Sequence, residues 1–286
     1  MKQYAGWSSG KLILSGEHSV VYGYPAIAIP ISLGVHITLT EIEPTTTSIF
    51  PVLDERLTTA WKKIFPSTGI KLDMQSDVPL GAGLGSSAAI SIASLRALAA
   101  YKNHLLSFSW LYEQGFVMER EFHGTPSGLD HAVCAAQQAM YFRREGPEMK
   151  PLSLPSYSIV IMHSAQPKQT STMVEHVRSQ WPQNKTILEK IGAITESIAH
   201  NPQMSVAELG AKLTENHHLL QDLGVSTPIL DQLVNTALEA GALGAKLAGA
   251  GGGGIAFALT DNPTPIQSAI EKLGYECFCL HTPNTP

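Results

Sequence analysis

The stretch Pro79-Leu-Gly-Ala-Gly-Leu-Gly-Ser-Ser-Ala-Ala89 sets three alternating glycines and two serines directly before the apolar, alanine-rich run Ala88–Ala100. A glycine loop that opens a helix aims several backbone N–H groups and the positive end of the helix dipole at one point, which suits a phosphate group. The stretch lacks the lysine of a G-x-x-x-x-G-K-[ST] P-loop, and Ser86 stands where a dinucleotide fingerprint needs its third glycine. A phosphate loop of a third kind fits these residues, and so does a bare turn that lets a helix pack closely on a strand.

Upstream of the loop, Lys11–Leu14 reads as a short apolar strand, and Gly16–Pro25 breaks it with turn residues before Ala26–Ile29 resumes. Val35–Glu41 then alternates like a half-buried strand. The break holds Glu17 and His18, polar groups on a rigid frame of the kind that carries sites. A surface hairpin whose His18 bonds only to backbone is the plainer alternative. Arg56–Phe65 reads as a helix, and Ile70–Ser76 as the strand that delivers the chain to Pro79.

Downstream, a helix starts at Ser86 or Ser87 and lasts to about Asn103. Ser107 or Ser109 caps the next, which ends in Glu119-Arg-Glu-Phe-His123. The chain breaks at Gly124–Asp130, where Asp130 is either a placed carboxylate or the N-cap of the helix over Ala132–Ala136. Ala139–Arg143 reads as a strand. Gly146–Pro155, with three prolines, marks a candidate boundary between lobes 1–155 and 156–286.

In the second half, Ser158–His163 reads as a strand, and Gln166–Val174 as a polar loop running into a helix. Helical stretches follow at Lys185–His200, Ser205–Leu220 and Pro228–Ala240. His217 and His218 are adjacent, so a helix aims them about 100° apart, which disfavours chelation of one metal. Gly249-Ala-Gly-Gly-Gly-Gly254 spells G-x-G-x-x-G, but a dinucleotide site needs a helix next, and Ile255–Leu259 is of strand type. The glycines therefore sit in a hairpin whose bare backbone admits a close neighbour, either a ligand phosphate or another loop. Pro265–Leu273 reads as a last helix and Tyr275–Leu280 as a last strand.

Composition excludes more than it assigns. With 286 residues, 44% hydrophobic and 15% charged, the chain is an ordinary globular protein, and a net charge of −5 gives no basic footprint for nucleic acid. No run approaches the ~18 apolar residues of a membrane span, and the N-terminus has no signal-peptide core. Cys134, Cys277 and Cys279 keep no zinc spacing, and Cys277-Phe-Cys279 alternates as buried thiols on a strand would. A cytoplasmic protein that meets neither nucleic acid nor membrane is expected.

Taken together and in order, three stretches resemble the GHMP kinases. Gly10–Gly23 is similar to the family's first motif, Pro79–Ala89 to its second and Lys246–Gly254 to its third. Within the family, Gly16-Glu-His-x-Val-Val-Tyr-Gly23, His123-Gly-x-Pro-Ser-Gly-x-Asp130 and Leu223-Gly-Val-Ser226 are closest to the branch that phosphorylates mevalonate. The resemblance implies a mixed α/β (α+β), two-lobed GHMP-kinase fold, with ATP and substrate meeting in the cleft between lobes. It implies that Pro79, Gly81, Ala82, Gly83, Leu84, Gly85, Ser86 and Ser87 wrap the ATP phosphates, and that Ser87 and Glu119 hold Mg2+. Lys11 and Asp130 would flank the mevalonate hydroxyl as the catalytic pair, and Glu17 and His18 would bind mevalonate hydroxyls. Thr170 matches a substrate-contacting threonine. Lys168 stands where relatives often carry an arginine, as charge partner of the substrate carboxylate. Gly249, Ala250 and Gly251 would form a backbone wall. The resemblance also admits a homodimer. The chain is shorter than animal members around Pro44–Ile70, so the adenine pocket and any dimer contacts do not carry across.

Overall fold

The computed structural model describes residues 1–123, 127–144 and 148–281, leaving aside the side chains of 121–123 and 281. The chain forms two compact units. The first contains Met1–Lys11, Leu33–Leu80 and Leu84–Gln137, and the second contains Leu12–Ser32, Gly81–Gly83 and the chain from Gln138 onward.

In the first unit, strand β1 (Gln3–Ser15) starts, and the latter part of β2 (Ala26–Glu41) pairs antiparallel with β3 (Ile70–Ser76), from Val35 opposite Ser76 to Glu41 opposite Ile70. Val35, Ile37 and Leu39 point inward, as the alternation requires. Helix α1 (Glu55–Ile64) is capped by the Asp54 carboxylate, which accepts from the N–H groups of Arg56 and Leu57. Helices α2 (Ser86–Tyr101), α3 (Phe108–His123) and α4 (Leu129–Ala136) complete the unit. The core joins Leu57, Trp61, Leu72, Ile92, Leu95 and Leu111, with the Trp61 indole N–H donating to Ser94 Oγ at 2.9 Å. Helix α2 is apolar on nearly every side because it is buried on nearly every side.

In the second unit, Ala26–Ala28 of β2 pair with β4 (Ala139–Arg143), which pairs with β5 (Glu148–Leu152). The proline-rich segment at 146–155 thus carries a strand. Pro151 is tolerated because β5 lies at the sheet edge. A second antiparallel sheet is ordered β7 (Gly244–Leu247), β8 (Ile255–Thr260), β6 (Ser158–His163), β9 (Cys277–His281). Every residue of central β8 is buried. Helices α5 (Thr170–Ser179), α6 (Lys185–His200), α7 (Val206–Asp222), α8 (Pro228–Glu239) and α9 (Pro263–Lys272) belong to this unit. Ser205 and Glu208 form a reciprocal capping box on α7, and Thr227 caps α8 ahead of Pro228. Cys277 and Cys279 lie on edge strand β9 and are half-buried, so the expectation of buried thiols there is corrected. Among the described residues, no helix is long and apolar enough to cross a membrane.

One buried group sets an acid limit on the first unit. His131 has no exposed surface, packs against the rings of Tyr112 and Phe116, and has neither nitrogen hydrogen-bonded among the described residues. Burial pushes its pKa down to about 4, against the opposing pull of the Asp130 carboxylate. The unfolded chain takes up this proton near 6.5, so the contribution to stability is complete above that pH and is lost as pH falls toward 4. The loss reaches about 3 kcal/mol. Urea unfolding at about pH 7 and about pH 4.5 should show His131→Phe losing less stability on acidification than the parent chain.

Candidate active site

The first unit holds Lys11, Pro79, Leu84, Gly85, Ser86, Ser87, Glu119 and Asp130. Strand β1 brings Lys11 beside the glycine loop, where its backbone N–H donates to the Leu84 carbonyl at 2.8 Å. Gly85 is left-handed (φ 73°) at the N-cap of α2, and a Cβ there would lie 2.6 Å from Lys11 Cγ. The residue is therefore glycine for two reasons, its backbone angle and the lysine stem that crosses it. Lys11 is 3% exposed, and its ammonium lies 3.1 Å from Asp130 Oδ2, on a carboxylate about one-third exposed.

Asp130 occupies the first turn of α4 without capping it. Gly128 (φ 100°) is the N-cap, and Ser127 Oγ accepts from the Leu129 N–H. The carboxylate is thus placed for Lys11 and for the positive end of the helix. On the same side of the cluster, Ser87 Oγ donates to Glu119 Oε1 at 3.0 Å, and Glu119 is 2% exposed. Burial, then the nearby Asp130 charge, raise the Glu119 pKa to about 7, while Ser87 and Lys11 pull it down. Residues 124–126 of the expected His123–Asp130 motif lie outside the described residues, as does the His123 side chain.

The second unit holds Glu17, His18, Gly81, Ala82, Gly83, Lys168, Thr170, Gly249, Ala250 and Gly251. Glu17 and His18 follow β1 at the entry to a short 3-10 turn (Ser19–Tyr22), with His18 at φ 59°. His18 Nε2 lies 2.9 Å from the Ala250 carbonyl, so Nε2 carries the proton, and Nδ1 is the ring's remaining acceptor. Burial lowers its pKa, chiefly offset by that backbone bond. The plainer reading of His18 as a backbone binder thus holds for Nε2 among the described residues. Lys168 lies against both glycine segments: a Cβ on Gly83 would be 3.6 Å from its ammonium and one on Gly249 3.7 Å, while a Cβ on Gly254 would be 3.7 Å from its stem. Thr170 is the exposed first residue of α5.

The hairpin glycines divide between the two alternatives left open above. A Cβ on Gly251 would fall 2.0 Å from the Val225 carbonyl oxygen, one on Gly252 2.8 Å from Met173 and one on Gly253 2.6 Å from the Pro167 carbonyl oxygen. These three are glycine because another segment of chain lies on them. Sequence reasoning passed over Lys246 as a functional residue. It is fully buried on β7 and forms an ion pair with Glu17. A lone charge within the apolar run Ala245–Ala248 was the available signal, since a buried lysine requires a partner.

Sequence comparison places these clusters in a family. The GHMP kinases N terminal domain model matches residues 53–138, and the GHMP kinases C terminal model matches residues 196–278. The mevalonate kinase of Pyrococcus furiosus is 32% identical over 92% of this chain and 91% of its own length. The chain belongs to the GHMP kinases. Among solved structures of this family, mevalonate kinase of Methanococcus jannaschii superposes with a TM-score of 0.84 at 24% identity over 98% of both chains, a likeness of fold. The L. major mevalonate kinase, solved in complex with R-mevalonate, superposes with a TM-score of 0.82 at 26% identity over 99% of this chain and 96% of that one. As a GHMP kinase the chain is an ATP-dependent enzyme, and the mixed α/β fold expected from its motifs is the one observed.

Proposed function

We propose that this GHMP kinase transfers the γ-phosphoryl group of ATP to the C5 hydroxyl of (R)-mevalonate, giving 5-phosphomevalonate and ADP. The observation that carries the reading is the ion pair of buried Lys11 with part-exposed Asp130, next to the glycine start of α2. Asp130 orients the acceptor hydroxyl and takes its proton, while Lys11 opposes the charge that grows on that oxygen and on the moving phosphoryl group. Phosphoryl transfer has a loose transition state, so orientation contributes more than full deprotonation. The N–H groups of Gly81–Ser87 and the α2 dipole suit the ATP phosphates. Glu17 and His18 bind mevalonate hydroxyls, His18 through Nδ1. Lys168 and Thr170 receive the substrate carboxylate, lysine as a point charge rather than a fork. The Gly249–Gly251 backbone lines the acceptor.

Ser87 and Glu119 offer a hydroxyl and a carboxylate oxygen 3.0 Å apart, a hard donor set that fits Mg2+. These two residues would hold the ion, which would supply positive charge against that of the ATP phosphates. Ser87→Ala and Glu119→Gln are each expected to raise the Mg2+ needed for half-maximal rate about 10-fold. Titration of Mg2+ at fixed ATP checks this, and an unchanged curve in both variants removes the assignment.

The reading as a whole is tested by ADP release with mevalonate, phosphomevalonate, galactose and homoserine offered separately. Turnover with mevalonate alone is expected. Turnover with phosphomevalonate but not mevalonate would reverse the substrate, and none with any alcohol would make the chain a metabolite-binding regulator.

A further inference from the structure

Lys246 has no solvent-exposed surface and lies in mid-strand on β7, its ammonium 5.4 Å from the centre of the Phe257 ring. An ammonium withdrawn from water in this way persists only with partners in direct contact. Among the described residues it has two hydrogen-bond partners: the Leu247 carbonyl, which accepts from Nζ at 2.9 Å, and Glu17 Oε1, which it touches directly. Burial lowers the Lys246 pKa, and Glu17 is the group that opposes the shift. The Lys246 charge thus depends on Glu17.

Glu17 is 3% exposed, and its two oxygens are unlike. Oε1 faces Lys246, whereas Oε2 is buried with no hydrogen-bond partner among the described residues. A buried carboxylate oxygen without a donor is costly, and an arriving hydroxyl would satisfy it.

The hairpin that carries Lys246 also holds the next residue of the turn. Four positions along, the Ala250 carbonyl accepts from His18 Nε2, so adjacent residues Glu17 and His18 are fastened to one β7–β8 connection by two separate bonds. Helix α7 also holds β7, since the Leu247 N–H donates to His217 Nδ1, and the Nε2 of that imidazole lies 3.3 Å from Asp231 Oδ1.

We propose that Lys246 is a positioning residue for the acceptor alcohol: it occupies Glu17 Oε1, presents Oε2 to a substrate hydroxyl, and cancels the Glu17 charge so that an anionic acceptor is admitted. The assignment rests on the reading that Glu17 contacts mevalonate. It gives the third glycine motif a task beyond forming a wall, namely holding the Glu17-His18 turn in register with its ligand.

A double-mutant cycle tests it, with KM for mevalonate, KM for ATP and kcat measured for the parent chain, Lys246→Met, Lys246→Arg, Glu17→Gln and the Glu17→Gln/Lys246→Met double variant. Lys246→Met is expected to raise KM for mevalonate on the order of 10–100-fold, with KM for ATP changed by no more than about twofold. Lys246→Arg should recover part of the loss. In the Glu17→Gln background, losing the lysine should change KM for mevalonate by no more than about twofold, because the lysine acts through the carboxylate. Additive effects, or parallel rises in both KM values, overturn the assignment. Should Lys246→Met not fold, Lys246→Arg measured in the parent and in the Glu17→Gln background closes the cycle instead, a rise in KM for mevalonate confined to the parent background being expected and equal rises in both overturning the assignment. A parent chain that turns over no mevalonate overturns the substrate reading and this assignment together. A parent chain that does, with additive variants, overturns the assignment alone.

Discussion

Replacing Asp130 by asparagine is expected to lower kcat with mevalonate by about 10³-fold while leaving KM for ATP within a few-fold of the parent value. The substitution keeps the volume and first-turn position of the side chain on α4, where Gly128 rather than Asp130 is the cap, so the helix has no reason to unravel. What is lost is the anionic partner 3.1 Å from Lys11 and the acceptor for the hydroxyl proton. Steady-state kinetics with each substrate varied in turn separates the effects. A kcat near the parent value would remove Asp130 from the chemistry, and a large rise in KM for ATP would show that its role is phosphate binding instead.

Gly85→Ala is the second large effect, and it acts without touching a charged atom. The left-handed angle of 73° costs an alanine on the order of 1–2 kcal/mol. The new Cβ would also sit 2.6 Å from Lys11 Cγ and 3.0 Å from its Cε, so the lysine stem must move. A shift of about 1 Å in a catalytic group can cost on the order of 10²-fold in rate, and a fall in kcat of that size is expected. Gly241→Ala is the control, because its φ of 97° is also unfavourable to alanine but nothing lies within 4 Å of the added Cβ. It should lose stability by about 1–2 kcal/mol with kcat intact. Equal kcat losses in the two variants would mean that strain, not the displaced lysine, is responsible.

Local patterning carried the sequence reading where local physics decides. The strand–glycine–strand reading of Gly249–Gly254 holds because the apolar run after the glycines is too short for a helix, and β7 and β8 pair there as expected. Ser158–His163 and Lys185–His200 follow from clean periodicity bounded by turn residues. Chain-distant partners were beyond its reach. Lys246 finds Glu17 across more than two hundred residues of sequence, and the close neighbours of Gly251–Gly253 come from the 166–173 segment and from Val225. Asp130 could be read as an N-cap until Gly128 is seen to fill that position and Lys11 to lie beside the carboxylate. The strand at 148–152 was hidden by prolines that only an edge position permits.

The interleaving of the two units along the chain governs how the protein can be made. The break between Lys11 and Leu12, and the return of Gly81–Gly83 to the second unit, mean that no single scission of the gene yields either unit whole. A fragment ending at Gln137 would carry Leu12–Ser32 without the β4 residues Met140–Phe142 that pair with Ala26–Ala28. Its buried Ile27, Ile29 and Ile31 would then border an open strand edge, a template for aggregation. During synthesis the same exposure lasts until β4 has left the ribosome, and Glu17 stays without Lys246 until β7 follows. Nascent chains stalled between those points are therefore the species most in need of a chaperone.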